Sequence, residues 1–201
     1  MTTVAELPAG FADKVLSAQT TFRSVMDAMA RPGSVQRIAV AAGAPHPMMH
    51  GTAAIALTLF DHDTPVWLDP RMSGIPDVTK WLKFHTGAPV IADSSVCHFA
   101  LVGEAEMLPA LDRFAFGSNE YPDRSTTLIL QVRSLTPGAG LRLVGPGVRG
   151  ASEFDVALLP ADFLAQWAAN QASFPLGIDL ILAAGPRLAA LSRCISVTGG
   201  A

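Results

Sequence analysis

A glycine-rich segment with two arginines is the part of this sequence best suited to binding an anion. Residues 141–150 read Leu-Arg-Leu-Val-Gly-Pro-Gly-Val-Arg-Gly. In such turns, successive backbone N–H groups converge on an anion, and arginine adds charge-assisted hydrogen bonds. Arg142, Gly145, Gly147 and Arg149 are therefore candidate ligands of a phosphate or phosphonate. The alternative is a tight structural turn with ion-paired arginines, because neither a P-loop nor a dinucleotide-binding fingerprint is present.

A carboxylate stands inside a second apolar segment, residues 174–185, which reads Phe-Pro-Leu-Gly-Ile-Asp-Leu-Ile-Leu-Ala-Ala-Gly. Burying a charge is costly unless it is paired or hydrogen-bonded. Asp179 is therefore either a site residue with a perturbed pKa or a structural acceptor. In the structural case it accepts backbone N–H groups or pairs with Arg142 or Arg193, so Asp179 and Arg193 are candidate buried polar residues.

Two other polar groups invite a metal or acid–base interpretation. Asp61 and Asp63 flank His62, and alternate carboxylates in a loop can ligate a hard cation. Aspartates are also common in turns because they bond their own backbone, and we favour that interpretation. His85 stands near the end of a predicted helix and is either a helix-end residue or a general base. The sequence predicts no metal ligand and no catalytic residue.

Nucleophile and cofactor signatures are missing from the sequence. It has no Gly-x-Ser-x-Gly and no His-Glu-x-x-His. Cys97 and Cys194 lack the spacing of a zinc site or of a disulfide framework, which predicts buried free thiols. Lys14, Lys80 and Lys83 lie on polar helix faces rather than in desolvated positions suited to a Schiff base. We therefore expect this chain to bind no cofactor.

The composition indicates one soluble domain with a partner. The 201 residues suit a single domain over 1–201. Half of the residues are hydrophobic and 15% are charged, which predicts that another chain covers part of the surface. A net charge of −3 argues against nucleic-acid binding. The segment 1–10 lacks signal-peptide features, and no apolar run reaches the roughly 18–20 residues of a membrane span, so we expect a cytoplasmic protein.

The predicted elements alternate between helix and strand and indicate an α/β domain with a mixed sheet. Periodicity and turn residues predict helices over 11–30, 51–60, 76–85 and 160–172, with a helical start to 104–116. They predict strands over 34–40, 64–68, 89–91, 97–102, 126–132, 140–144, 154–158 and 178–184, with a possible return over 188–197.

The first helix carries an apolar stripe whose partner the sequence leaves open. Six residues recur at helical spacing: Phe11, Val15, Ala18, Phe22, Val25 and Met29. A helix packed on the core explains the stripe, and so does a helix that contacts another chain. In the second case Phe22 and the corner Arg31-Pro32-Gly33 are candidate interface residues.

Several segments together resemble one protein family from end to end. These are residues 22–33, 57–68, 84–89, 127–132, 141–147 and 174–182. In this order they resemble the H subunit of the bacterial carbon–phosphorus lyase core complex, which acts in phosphonate metabolism. The chain departs from the family pattern at 191–193, which reads Leu-Ser-Arg where Leu-Pro-Arg is expected.

The resemblance implies a fold similar to that of pyridoxal-phosphate-dependent transferases, without their cofactor site. It implies a homodimer that assembles with the G, I and J subunits and an ATP-binding-cassette partner. That assembly exchanges the adenine of ATP for a phosphonate, giving ribose 1-phosphonate 5-triphosphate. ATP and phosphonate are thus used by the complex, and a radical iron–sulfur subunit later cleaves the carbon–phosphorus bond.

Two functions follow as hypotheses. The chain is an accessory or scaffold subunit of the phosphonate-activating complex, without catalysis of its own. Alternatively, it is an independent dimeric α/β enzyme or a nucleotide- or phosphonate-binding protein, with the anion site at Arg142 to Arg149. Loss of ligand binding on substitution of these arginines would favour the second hypothesis, and loss of assembly alone would favour the first.

Overall fold

The computed structural model describes residues 7–39 and 42–200. The expectation that the chain has no signal peptide rests largely on residues 1–6, which lie outside the described part. Residues 40 and 41, at the end of the first predicted strand, also lie outside it, as does residue 201. No helix in the described ranges combines the length and apolar character needed to cross a membrane.

Five α-helices and ten strands are formed by the described residues. The helices are α1 (Lys14–Ala30), α2 (His50–Leu59), α3 (Pro70–Ser73), α4 (Pro76–Thr86) and α5 (Phe163–Ala172). The strands are β1 (Gln36–Arg37), β2 (Val66–Leu68), β3 (Val90–Ile91), β4 (Phe99–Val102), β5 (Thr127–Gln131), β6 (Leu135–Val144), β7 (Ser152–Val156), β8 (Asp179–Ala184), β9 (Arg187–Leu191) and β10 (Ser196–Gly199).

The strands of the described residues form a seven-stranded mixed sheet and a three-stranded antiparallel sheet. The order of the larger sheet is β1-β9-β8-β5-β4-β2-β3, and that of the smaller sheet is β10-β6-β7. Strands β3, β2, β4, β5 and β8 are parallel, whereas β9 and β1 are antiparallel additions at one edge. The predicted α/β class with a mixed sheet is confirmed.

Both faces of the larger sheet are covered, which explains why its central strands are apolar between their ends. On one face, Leu101, Ile129 and Ile181 pack in a core with α1, α2 and α4. On the other face, Leu128 and Leu180 pack in a core that also contains residues of the smaller sheet and α5. Because the two sheets share this second core, they belong to one domain.

The helix α1 buries only part of its hydrophobic stripe and buries small polar residues beside it. Its buried residues are Ser17, Thr21, Val25 and Ala28. Four large apolar side chains are instead exposed: Val15 by 64%, Leu16 by 63%, Phe22 by 47% and Met26 by 51%. Of the two explanations left open, core packing holds for Phe11 and Val25 and, in part, for Ala18 and Met29, but not for the exposed Val15 and Phe22. Small side chains let α1 approach the alanine-rich α2 and β9 closely, since helix separation follows side-chain size.

Replacing Thr21 by Val is expected to raise the free energy of unfolding by about 1 kcal/mol. The Thr21 hydroxyl is buried and has no hydrogen-bond partner among the described residues, so it carries an uncompensated desolvation cost. Valine has nearly the same shape and removes that cost. The neighbouring Thr20→Val is the control, because the exposed Thr20 hydroxyl donates to the Leu16 carbonyl at 2.8 Å. Urea unfolding of both variants measures the difference, and a destabilised Thr21→Val would contradict it.

Two predicted elements differ from the observed ones. The segment 104–116 forms only two 3₁₀ turns, Ala105–Met107 and Leu111–Arg113, because Pro109 interrupts it and cannot donate a helical hydrogen bond. The predicted return over 188–197 is two strands, β9 and β10, which belong to different sheets. A turn at 192–195 separates them, closed by the Ile195 N–H donating to the Ser192 carbonyl at 2.9 Å.

Candidate functional site

Arg142, the first candidate anion ligand, is ion-paired on the smaller sheet. It lies on β6 opposite Glu153 of β7, and its Nη1 donates to Glu153 Oε1 at 3.1 Å. Its neighbours Leu141 and Leu143 are buried, so the alternation along the strand directs Arg142 to the outer face. The structure thus gives Arg142 the structural pairing that the sequence left open.

The other candidate anion ligands meet the candidate interface corner. Gly147 has a φ of 81°, and a Cβ there would come within 2.4 Å of the Ala30 carbonyl at the end of α1. A Cβ at Gly33 would come within 2.4 Å of Ser152 Oγ. Two glycines are therefore required by the close approach of the two segments. That contact forms a shallow groove of about 950 Å³, lined by Arg31, Pro32, Ser34, Gly147, Val148, Arg149, Ala151 and Ser152.

The groove brings Arg31 and Arg149 to one surface and leaves Arg142 outside its lining. Arg31 Nη2 pairs with Asp27 Oδ1 at 2.6 Å, and Arg149 is exposed. Gly145 belongs to the same turn but packs on Ile195 rather than lining the groove. An anion site built from Gly147 and Arg149 remains a prediction.

The pair of Asp179 and Arg193 closes the opposite, amino-terminal end of the parallel strands. Asp179 Oδ1 accepts the Arg193 backbone N–H at 2.8 Å and Nε at 3.2 Å, and its Oδ2 accepts Nη2. Arg193 also donates from Nη1 to the Pro122 carbonyl at 2.7 Å and from Nη2 to the Ser125 hydroxyl. Both side chains are about 85% buried. Of the partners considered for Asp179, the structure shows Arg193.

The remaining polar candidates also have local partners. Asp61 Oδ1 accepts the Asp63 N–H at 2.9 Å, which is the backbone-bonding turn expected of aspartate. His85 Nε2 lies 3.1 Å from the Pro8 carbonyl, and its ring lies 4.7 Å from that of Trp81. In the ranges 7–39 and 42–200, no three His, Cys, Asp or Glu side chains are grouped closely enough to hold a metal ion.

The two thiols are free, and only one of them is fully buried. Cys97 donates to the Ser94 carbonyl at 3.2 Å, and burial raises the pKa of its thiol. A raised pKa disfavours the reactive thiolate. Cys194 is half-buried beside the Ser192 hydroxyl at 3.3 Å. The sequence prediction of a buried thiol is confirmed for Cys97 and is only partly right for Cys194.

A cleft lies at the carboxyl ends of the parallel strands, where α/β proteins commonly bind ligands. It encloses about 590 Å³. Its lining comes from residues that follow β2, β4, β5 and β7 and from the loop before α2: His46, Pro47, Met49, Arg71, Gly103, Glu104, Ala105, Glu106, Gln131, Val132, Arg133, Ala157 and Leu158.

Two buried polar side chains fix the backbone of this cleft. Asp69 is fully buried, and its Oδ1 accepts the Met72 N–H at 2.8 Å while Oδ2 accepts the Gly103 N–H. Gln131, which is 2% exposed, accepts the Met49 N–H at 2.6 Å. Its amide nitrogen donates to the carbonyls of Pro47 and Gly103, each at 3.1 Å. These bonds join the ends of β2, β4 and β5 to the loop before α2.

Charged side chains stand around the mouth of the cleft. Arg71 is ion-paired with Glu104, and Arg133 Nη2 lies 3.7 Å from Glu106 Oε1. The side chains of these four residues are between 44% and 75% exposed. Leu158 has a φ of 65° and is the one residue other than glycine with a positive φ in the described ranges. A leucine in this conformation is strained, and such strain is concentrated at functional positions.

The sequence analysis did not single out Arg71, Glu104, Gln131 or Arg133. A usable signal was present, because Arg71, Glu104 and Arg133 follow the ends of predicted strands by one to three residues. Gln131 is the second-last residue of the predicted strand 126–132. The carboxyl ends of parallel strands meet at one edge, so polar residues at several such ends indicate a shared cleft. The missing information was which strands are parallel neighbours.

Comparison with known proteins shows the family to which this chain belongs. The sequence model of the family described as "Bacterial phosphonate metabolism protein (PhnH)" matches residues 9–198. This chain belongs to the PhnH family. A PhnH relative from Rhizobium meliloti (strain 1021), named alpha-D-ribose 1-methylphosphonate 5-triphosphate synthase subunit PhnH, is 45% identical over 194 residues, which are 96% of each chain.

A second relative carries a related name at lower similarity. The "Putative C-P lyase subunit protein HtxG" of Stutzerimonas stutzeri is 30% identical over 175 residues, which are 87% of this chain and 83% of that protein. Both relatives are named as subunits, and the matches span 96% and 87% of this chain. The resemblance noted from the sequence is therefore confirmed.

Proposed function

We propose that this chain is the H subunit of a carbon–phosphorus lyase complex in organic phosphonate catabolism. The observation that carries the proposal is 45% identity, over 96% of both chains, to a protein named as a subunit of ribose 1-methylphosphonate 5-triphosphate synthase. In that role the chain supports an exchange at the ribose of ATP. The bond from C1′ to adenine breaks, a bond from C1′ to a phosphonate oxygen forms, and adenine leaves.

The partners that we propose are a second copy of this chain, the G, I and J subunits, and an ATP-binding-cassette partner in the cytoplasm. The fold that we propose is the pyridoxal-phosphate transferase fold without its cofactor site. The proposed absence of a cofactor site is supported by the lysines, because Lys14, Lys80 and Lys83 are all exposed on helices. A lysine that forms a Schiff base is usually desolvated in an apolar pocket, and none of these three is.

The role is accessory rather than catalytic. Polar side chains that the sequence offered for chemistry are engaged within the chain, as Arg142 is with Glu153 and Asp179 is with Arg193. Side chains engaged in this way stabilise the fold and hold surfaces in place. The chain thus contributes surfaces to an assembly, and the reacting groups come from its partners.

The exposed apolar face of α1 is the surface that we assign to the second copy. Val15, Phe22 and Met26 are spaced by seven and four residues, so they lie on one side of the helix. Exposed contiguous apolar surface marks an interaction site. Among the sequence-predicted interface residues, Phe22 lies on this face, whereas Arg31, Pro32 and Gly33 lie at the end of the same helix.

The double variant Phe22→Asp/Met26→Asp is expected to convert a dimer of this chain to a monomer. Burying two unpaired carboxylates in an apolar interface costs several kcal/mol for each, which strongly disfavours the dimer. Sedimentation velocity measures the change, and circular dichroism checks that the helices remain. Val96→Asp is the control, because Val96 is 59% exposed but lies in the 3₁₀ turn Ser94–Val96, whose next residue Cys97 belongs to the core that does not contain α1. A double variant that stays dimeric would exclude α1 as the interface.

The proposed function is tested by reconstitution. The purified G, I and J subunits and the ATP-binding-cassette partner are incubated with ATP and methylphosphonate, with or without this chain, and released adenine is measured. We expect full activity only when the chain is added, and no adenine release by the chain alone. Equal activity without the chain would contradict a role in the complex, and adenine release by the chain alone would contradict the accessory role.

A further inference from the structure

We propose that the cleft at the carboxyl ends of β4 and β5 binds a small tetrahedral oxyanion, the phosphoryl or phosphonyl group of a ligand. This site is distinct from the groove at Gly147 and Arg149. It concerns the isolated chain and does not depend on the assembly role proposed above.

The donors are two arginines that reach the cleft from different strand ends. Arg71 lies in α3, just after β2, and Arg133 follows β5. An arginine has five N–H donors in a planar fork that matches two oxygens of a phosphate or phosphonate. Arg133 Nη2 lies 3.7 Å from Glu106 Oε1, which is beyond hydrogen-bond distance. The N–H donors of Arg133 are therefore available to a ligand.

The present partners of these arginines exchange easily. Arg71 and Glu104 are 45% and 44% exposed, and Arg133 and Glu106 are 75% and 53% exposed. Exposed ion pairs contribute little to stability because water screens them. A ligand oxyanion that accepts two parallel hydrogen bonds from one guanidinium therefore competes with the carboxylate. The carboxylates balance the charge of the arginines and hold them at the mouth of the cleft.

The backbone of the cleft is built rigidly, as a binding site requires. Gln131 and Asp69 are nearly or fully buried, and together they bond the backbone of Pro47, Met49, Met72 and Gly103. Three of those four residues, Pro47, Met49 and Gly103, line the cleft. This preorganisation lowers the entropy cost of binding.

Leu158 supplies the remaining indication of a ligand. It lines the cleft, it is 46% exposed, and its φ of 65° is unfavourable for a branched side chain. Core packing does not account for this conformation because the side chain is exposed. A strained, exposed apolar residue beside two arginines is suited to cover the less polar part of a ligand whose oxyanion meets the guanidiniums.

The test is a titration of the whole chain of 201 residues with each probe. Binding is measured by calorimetry and by amide chemical shifts in two-dimensional NMR. The probes are inorganic phosphate, methylphosphonate and ATP, which share the tetrahedral oxyanion and differ in what it carries. We expect saturable binding of at least one probe, with the largest shifts at Gly103 and Ala105. The probe that binds most tightly identifies the source of the oxyanion.

Variants Arg71→Gln and Arg133→Gln are each expected to weaken that binding about tenfold or more, which is the effect of losing one charge-assisted contact. Arg142→Gln is the matched control, since Arg142 is also half-exposed and paired with a glutamate but lies on the smaller sheet. It is expected to leave the affinity unchanged. Absence of saturable binding by all three probes would overturn the proposal. So would equal losses in all three variants, or shifts centred on Gly147 and Gly150.

Discussion

Replacing Asp179 by Ala is expected to lower the free energy of unfolding by about 3 kcal/mol. The change removes the acceptor of three N–H groups of Arg193 and leaves that guanidinium in a mostly buried position without its counter-ion. Removing one partner of a buried ion pair costs roughly 3–5 kcal/mol, and the residual exposure of about 15% places this pair near the lower value. Guanidinium chloride unfolding measures the loss.

Glu153→Ala is the control for Asp179→Ala. It also removes a carboxylate from an arginine, but Glu153 and Arg142 are 40% and 50% exposed, so the expected loss is below about 1 kcal/mol. A double variant, Asp179→Ala with Arg193→Met, should regain part of the lost stability because it no longer buries an unpaired charge. Equal, small losses in both single variants would show that the pair is not structural.

Replacing Gln131 by Met is expected to cost about 3 kcal/mol. Methionine keeps the volume of the side chain, so the loss reports the three hydrogen bonds rather than a cavity. Without them the Met49 N–H and the carbonyls of Pro47 and Gly103 lose their amide partner in a nearly buried setting, at roughly 1 kcal/mol or more for each. Urea unfolding measures the change.

Gln171→Met, at a half-buried position of α5, is the control for Gln131→Met and should change stability by less than about 0.5 kcal/mol. Hydrogen exchange adds a local measurement. The Met49 amide should exchange faster in Gln131→Met, whereas amides of β8 should keep their relative protection. An unchanged Met49 amide together with unchanged stability would contradict the role given to Gln131.

The elements that could be predicted are those whose local signals agree with their burial. Strands β5 and β8 are buried on both faces, so their middle residues are apolar, and each strand was predicted to within one residue at either end. Helix α4 begins at Pro76 and ends at Thr86, and it is capped by Gly87, which has the left-handed φ of 76° that favours glycine. For α4, the sequence therefore contains both the helical periodicity and the residues that mark the start and the end of the helix.

The face of α1 could not be predicted, because hydrophobicity does not report how closely two helices approach. Ser17 and Thr21 are buried since small side chains allow close contact, and Phe22 is exposed although it is more apolar. The cleft was missed for a related reason. Arg71 and Arg133 are 62 positions apart in the sequence, and only the parallel order β2-β4-β5 brings their strand ends to one edge. By contrast, the pairing of Asp179 with Arg193 was among the alternatives, because a charge inside an apolar segment requires a partner.

The measurement that tests the assembly role most directly is the mass of the complex that this chain forms. A tagged chain is co-expressed with the neighbouring phosphonate-pathway subunits and purified through the tag, and native mass spectrometry gives the composition. We predict a stable hetero-oligomer that contains two copies of this chain together with the G, I and J subunits. Recovery of this chain alone, while the other subunits assemble without it, would contradict the proposed function.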